Sequence, residues 1–140
     1  MIEKDKVVIY VVKNGKLLVF RHMDYSWEQV GIQVPAGTVK DDEDFEIAAL
    51  RELREETGKN GFRIVRFLGT EKYNKMPQKP EIHVRHFFQA EATEELPERW
   101  ESQEDNDGLT APVRFECFWI PIESGHVLQA GFGALLSEVK

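Results

Sequence analysis

The sequence has little cysteine and no long apolar run, and each shortage excludes a class of protein. Cys117 is the only cysteine among the 140 residues, so no intrachain disulfide can form. The longest purely apolar run, residues 7–12, is far shorter than the ~20 residues of a membrane-spanning helix. The first residues carry acids and lack the apolar core of a secretory signal. We therefore expect a cytoplasmic protein without a membrane partner.

Linkers, repeats and low-complexity segments are also missing. The length suits one domain, and a hydrophobic share of 41% is ordinary for a globular protein. We therefore expect residues 1–140 to form a single domain with a core of its own.

Acidic residues outnumber basic ones, but they are unevenly distributed along the chain. The net charge is −7, and residues 41–56 and 91–107 each hold eight acids against two arginines and one arginine, respectively. The rest of the chain is net positive. Such a pattern disfavours a nucleic acid polymer as partner, because that function needs a dominant basic surface. It allows a cation site beside basic groups that meet an anionic small molecule.

Hydrophobic periodicity predicts a mixed sheet with helices packed against it. Asn14-Gly15 between two apolar runs predicts a hairpin, and Gly58 predicts the end of a helix that begins near Asp44, with residues 41–44 as capping acids. A polar loop is expected over residues 93–112, and a C-terminal helix over residues 127–139. The predicted strands cover residues 6–12, 17–21, 30–34, 62–70, 81–90 and 113–122.

Three glutamates of the predicted helix share one face. At about 100° per residue, Glu52, Glu55 and Glu56 lie within an arc of roughly 100°. Like charges at these spacings repel each other, and a divalent cation would relieve the repulsion. All-oxygen ligands suit a hard ion, with Mg²⁺ first and Mn²⁺ as a substitute. The alternative is a solvated, charged helix face.

The stretch that contains these glutamates resembles the Nudix box, G-x5-E-x7-R-E-U-x-E-E-x-G-U, where U is a bulky apolar residue. Gly37, Glu43 and residues 51–58 supply every fixed letter of that pattern. Lys59 stands where the last apolar residue belongs, a departure that concerns local packing more than metal binding. The box covers residues 37–59, and the order of the predicted elements around it agrees with the family.

The resemblance implies the Nudix fold, an α/β/α sandwich with a mixed β-sheet. It also implies an Mg²⁺-dependent hydrolase that cleaves the pyrophosphate bond of a nucleoside diphosphate linked to another group. Carried over to this sequence, it implies that Glu52, Glu55 and Glu56 bind the metal, together with a backbone carbonyl at or near Gly37. Glu52 and Glu56 are the implied catalytic residues, and Arg51 would pair with an acid, expected to be Glu43.

The second acidic segment is a further source of metal ligands. In many Nudix enzymes a late loop adds a carboxylate to the metal or the water, which leaves Glu101, Glu104 and Asp105 as candidates. Glu104 represents this group in the predicted metal set, although the sequence does not choose among the three. The alternative for each of them is a solvated surface acid.

Substrate contacts are predicted from arginines in strands and aromatic residues in loops. Arg21 and Arg85 are candidates for binding phosphate, with an edge ion pair as the alternative for either. Trp27 and Trp100 are candidates for stacking on a base. The expected partner is a small nucleoside diphosphate derivative, bound by a monomer or a homodimer. A catalytically inactive Nudix-fold binding or regulatory module is the alternative function.

Overall fold

The computed structural model describes residues 1–24, 31–104 and 112–140. Within these ranges one α-helix, α1, covers Phe45–Thr57, and 3-10 helices cover Ile122–Val127 and Leu136–Glu138. None of the helices in these ranges has the length and apolar character that crossing a membrane requires. The strands are β1 (Ile2–Lys13), β2 (Lys16–His22), β3 (Ala36–Thr38), β4 (Phe62–Asn74), β5 (Glu81–Ala92), β6 (Arg99–Glu104) and β7 (Val113–Pro121).

The strands form a mixed sheet in the order β4-β5-β1-β2-β7-β6. β1 and β5 run parallel, whereas the other neighbours in this order are antiparallel. The short strand β3 lies beside the first half of β1 and pairs with it in antiparallel fashion at Lys6–Thr38. The Asn14-Gly15 hairpin is confirmed, since both residues have positive φ and join β1 to β2.

The central strand β1 is buried on both faces. Val7 and Ile9 point into one hydrophobic cluster, while Val8 and Tyr10 point into another, as alternation along a strand requires. This explains why the sequence shows a continuous apolar run at this point rather than an alternating one.

Helix α1 covers the first face of the sheet, as the sequence predicts. Ala48, Ala49 and Leu53 are fully buried against β1, β5 and β7. Gly58 has a φ of 72° and its N–H donates to the Arg54 carbonyl at 2.9 Å, so the predicted glycine stop is confirmed. The capping prediction for the first turn was wrong in detail, because Asp44 is the N-cap residue but forms no side-chain capping hydrogen bond.

The C-terminal segment, residues 122–140, covers the second face, and the predicted α-helix over residues 127–139 was wrong. Two 3-10 helices joined by turns occupy this region. Ala130 and Gly131 have φ values of 53° and 73°, which are incompatible with a right-handed helix. Phe132 and Leu136 still pack against the sheet. The mixed α/β fold is therefore confirmed, with 3-10 turns instead of an α-helix in the second layer.

Two further local predictions need correction. Residues 99–104 of the predicted loop form β6, an edge strand that pairs with β7. Its polar sequence lacks the apolar pattern from which a strand is predicted. In place of a strand over residues 30–34, Ile32 and Gln33 form isolated bridges, and the strand forms later, as β3. Residue 30 lies outside the described ranges, as do Trp27 and Asp105.

Candidate active site

The last two turns of α1 and the end of β6 bring carboxylates together at one edge of the helix. Glu52, Glu55 and Glu104 each offer an oxygen, and these oxygens lie within 4.8 Å of one another. The Trp100 indole N–H of β6 donates to the Thr57 carbonyl at 2.8 Å, which ties the strand to the end of the helix. The helix face predicted from spacing thus gains a fourth acidic residue from a distant segment.

Glu56 lies deeper than the other glutamates of the box. It is 8% exposed, and its Oε1 accepts a hydrogen bond from the Ala36 N–H at 2.8 Å. The Glu56 carboxylate therefore connects α1 to β3, beside the three clustered glutamates.

Gly37 allows the Glu52 carboxylate to lie against β3. A Cβ atom at this position would stand 2.0 Å from Glu52 Cδ, far inside van der Waals contact. The glycine of the box therefore makes room for a carboxylate, a packing requirement that the sequence pattern alone did not reveal.

Arg51 orients the cluster from its outer side. Its Nε and Nη2 donate to the two Glu43 carboxylate oxygens at 2.8 and 2.9 Å, which confirms the expected ion pair. Its Nη1 also donates to Glu52 at 2.9 Å and to Glu55 at 3.2 Å, and its Nη2 donates to the Thr38 carbonyl at 3.0 Å. Sequence reasoning missed these additional bonds, of which two lie within α1 and the third joins α1 to β3.

The electrostatic state of the site reflects burial of several acids together. Burial raises the pKa of Glu52 to about 7, against the opposing hydrogen bond from Arg51. Burial, and then the Glu52 carboxylate, raise the pKa of Glu56 well above its usual range. The Glu104 pKa is raised by burial and by Glu55. By contrast, hydrogen bonds from Arg51 lower the pKa of Glu43 to about 2.

These residues fit a hard divalent cation. The clustered donors are carboxylate oxygens, which Mg²⁺ and Mn²⁺ prefer, and their mutual repulsion would be relieved by positive charge. They border an open cleft of about 700 Å³, which Gly37, Glu52, Glu56 and Glu104 help to line. The cleft has space for the waters and substrate phosphates that usually complete a magnesium shell.

The remaining acids of the second acidic segment are placed differently. Glu101 is exposed on β6, opposite Glu116 of β7, and is not part of the carboxylate cluster. Lys59, the departure from the box pattern, lies 5.7 Å above the Trp100 ring. This distance joins the Lys59 Nζ atom to the ring centroid, so the charged group lies above an aromatic face.

The structure places the predicted substrate-binding residues in different environments. Arg85 is 3% exposed and lines a smaller cavity on the other side of β3. Arg21 forms an ion pair with Glu116 at 2.8 Å, the alternative that the sequence left open. Trp100 packs against the hydrophobic cluster beneath α1, and its N–H is bonded to Thr57.

The comparisons with known proteins agree with this architecture. A family model described as NUDIX domain matches residues 3–132. The chain is 31% identical over 123 residues to the ADP-ribose pyrophosphatase of Bacillus subtilis (strain 168). That match covers 88% of this chain and 64% of the relative, so the chain spans slightly less than two thirds of the relative's length.

Solved structures share the fold at low sequence identity. The MutT NUDIX hydrolase from Burkholderia pseudomallei has a TM-score of 0.72 at 18% identity, with both chains covered completely. A NUDIX hydrolase from Nitrosomonas europaea has a TM-score of 0.71 at 18% identity and covers 97% of this chain and 86% of its own. With the family model matched over nearly the whole chain and the box glutamates gathered at one cleft, this protein belongs to the Nudix hydrolase family.

Proposed function

We propose that the protein is an Mg²⁺-dependent hydrolase that cleaves the pyrophosphate bond of a nucleoside diphosphate linked to another group. The observation that supports this most directly is the cluster of Glu52, Glu55 and Glu104, of which Glu52 and Glu104 line an open cleft. A bound divalent ion would neutralise diphosphate charge and lower the pKa of an attacking water.

The chain's own residues would hold the ion and orient it. Glu52, Glu55 and Glu104 are the proposed carboxylate ligands, with Glu56 and the Gly37 carbonyl bordering the same cleft. Arg51 restricts the side chains of Glu52 and Glu55 through its two Nη1 hydrogen bonds. Positioning of this kind supplies much of the acceleration in phosphoryl chemistry.

Glu52 and Glu56 are the proposed proton acceptors. Both carboxylates are buried, and burial raises the pKa of each. Glu52, whose pKa is raised to about 7, takes a proton from water more readily than an exposed carboxylate does. Such a group would accept the proton of the attacking water and return it to solvent after the phosphates separate.

The first substrate to test is ADP-ribose, because the Bacillus subtilis relative is described as an ADP-ribose pyrophosphatase. Nucleotide sugars, dinucleoside polyphosphates, coenzyme A and oxidised nucleotides complete the panel. The proposed setting is the cytoplasm. Cys117 is a buried free thiol whose pKa is raised to about 12 by burial, so it is suited to packing in a reducing compartment.

The test is to incubate the purified protein with this panel and Mg²⁺ and to measure release of nucleoside monophosphate by chromatography. We expect turnover with at least one substrate, and loss of turnover with excess EDTA. Glu104→Gln should raise the Mg²⁺ concentration needed for half-maximal rate by about tenfold or more, the scale of losing a charged contact.

Glu101→Gln is the matched control, since Glu101 lies on the same strand and is exposed outside the cluster. It should leave the Mg²⁺ requirement unchanged. Binding of panel members without turnover would favour the alternative, an inactive Nudix-fold binding or regulatory module. Equal effects of the two substitutions would remove Glu104 from the proposed site.

A further inference from the structure

A second cavity lies next to the carboxylate cleft, on the other side of β3. Its volume is about 180 Å³, and Ala36, Gly37 and Glu56 line both cavities. A substrate whose diphosphate lies among the clustered glutamates therefore has this second cavity within immediate reach. The cavity is small beside the ~300–1,000 Å³ of a complete small-molecule site, so it suits one chemical group rather than a whole nucleotide.

The walls of this second cavity, which we call the basic pocket, carry basic side chains from three segments of the chain, of which two lysines and one arginine are charged, because burial lowers the pKa of His83. Lys6 comes from β1, Lys75 from the turn after β4, and His83 and Arg85 from β5. Among the described residues that line the basic pocket, Glu56 is the single carboxylate, and one of its oxygens already accepts the Ala36 N–H. The two lysines and the arginine therefore outnumber the one carboxylate in the described lining of the basic pocket.

The two lysines have no carboxylate partner in the described part of the chain. The lysine ion pairs recorded there are Lys4–Glu81 and Lys72–Glu3. Lys6 is half-buried, and its Nζ donates to the Thr38 hydroxyl at 2.5 Å. Because the Lys6 ammonium group is bonded to a neutral hydroxyl, an anion bound in the basic pocket would offset part of the cost of burying it.

Arg85 adds a positive charge to the wall of the basic pocket. Its guanidinium lies between the Tyr73 and Phe132 rings, at 4.1 and 4.3 Å from their centroids, and donates to the Ala130 carbonyl. The rings and the carbonyl stabilise this buried cation without neutralising it, because neither carries a formal charge. Arg85 therefore keeps its positive charge at the wall of the basic pocket.

We infer that the basic pocket binds a phosphate group that the substrate carries in addition to its scissile diphosphate. This inference rests on the proposed function and adds a preference within the substrate class. Lysine ammonium groups and arginine are established phosphate-binding groups, and a phosphate monoester fits the size of the cavity. The enzyme accordingly selects the phosphorylated member of a pair of otherwise identical diphosphate compounds.

The experiment compares kcat/KM within pairs that differ by one phosphate monoester. Suitable pairs are dephospho-coenzyme A and coenzyme A, ADP-ribose and its 2′-phosphate, and NADH and NADPH. We expect at least one pair to show a preference of about tenfold or more for the phosphorylated member. Lys6→Met and Lys75→Met should each reduce that preference by about tenfold, because each removes one charged contact.

Lys72→Met is the matched control, because Lys72 is an exposed lysine that pairs with Glu3 outside the basic pocket. It should retain the preference of the native protein. If every hydrolysed pair shows a ratio at or below one, or if the lysine variants of the pocket keep the native ratio, the inference is wrong.

A binding measurement in EDTA separates this inference from the proposed function. Inorganic phosphate should shift the backbone amide NMR signals of Lys75 and His83 saturably, and Lys6→Met and Lys75→Met should abolish the shift. Glu104→Gln should retain it, since that residue is outside the basic pocket. Phosphate binding without hydrolysis of any pair would overturn the proposed function alone. Absence of a saturable shift would overturn the basic pocket as a phosphate site.

Discussion

Helix α1 and the C-terminal segment cover opposite faces of the same sheet, but they form for different reasons. α1 is specified locally, by apolar residues at helical spacing and by Gly58, which stops it. The C-terminal segment is fixed by side chains from distant strands. The Tyr10 hydroxyl donates to the Phe132 carbonyl at 2.5 Å, and Gln89 exchanges two hydrogen bonds with Lys140.

The difference shows what each face is able to support. A regular helix holds carboxylates at fixed angles, which suits a metal site on the α1 face. Non-repeating turns expose backbone carbonyls and allow Phe132 to lie beside Arg85, which suits a shaped cavity on the other face. The proposed metal site is thus on the locally determined layer, and the proposed phosphate pocket borders the layer that tertiary contacts determine.

The largest expected effect comes from removing a charge on the α1 face. Glu56→Gln should reduce turnover by about 10²–10⁴-fold, the contribution of a positioned general base. The amide oxygen can still accept the Ala36 N–H, so the melting temperature should change little. Glu46→Gln, on the exposed first turn of α1, is the control for loss of a helix carboxylate. Undiminished turnover in Glu56→Gln would mean that Glu56 is not the general base of the reaction.

Truncating one leucine on each face of the sheet compares how much packing on the two faces contributes to the free energy of unfolding. Leu53→Ala should lower the free energy of unfolding by about 2–5 kcal/mol, because Leu53 is fully buried beneath α1. Leu136→Ala should cost about 1 kcal/mol, since Leu136 is only partly buried in the C-terminal segment. Urea denaturation of both variants provides the measurement. Equal losses would mean that the two layers contribute alike to the core.

Removal of one hydroxyl tests whether tertiary contacts hold the C-terminal segment. Tyr10→Phe deletes the bond to the Phe132 carbonyl and should cost about 0.5–1.5 kcal/mol. Native-state hydrogen exchange should become faster for the amides of residues 132–136, while the amides of α1 remain as protected as before. Uniform acceleration across both regions would show that the segment does not open independently of the helix.

The smallest expected effect is a pH dependence of the free energy of unfolding. It arises from an ion pair at the start of β5 rather than from either covering layer. Lys4, and then His83, lower the pKa of Glu81 to about 2 from the usual 4.5. The stabilisation by the Glu81 carboxylate is therefore complete above pH 4.5 and is lost as the pH falls towards 2. Denaturation of native protein and Glu81→Gln across this interval should show a stability difference that decreases with falling pH. A constant difference would mean that the ion pair does not contribute.

Some of the site could be predicted from sequence because its residues lie close together in the chain. Glu52, Glu55 and Glu56 belong to one helix, whose geometry fixes their angular relation, and Arg51 reaches Glu43 across one loop. The choice of Glu104 over Glu101 could not be predicted. It depends on β6, a strand with weak alternation whose position is set by its pairing with β7.

The sequence by itself determined the hairpin at Asn14-Gly15, the helix ended by Gly58 and the acidic face of that helix, because these follow from local backbone preferences and a fixed helical period. Only the tertiary structure showed that Glu104 joins that face, why Gly37 must lack a side chain, and how Arg85 comes to line a second cavity. Those outcomes depend on strand order and on packing between segments that are far apart in the chain. No local preference encodes such contacts, and the C-terminal segment, whose form rests on them, is where the helix prediction was wrong.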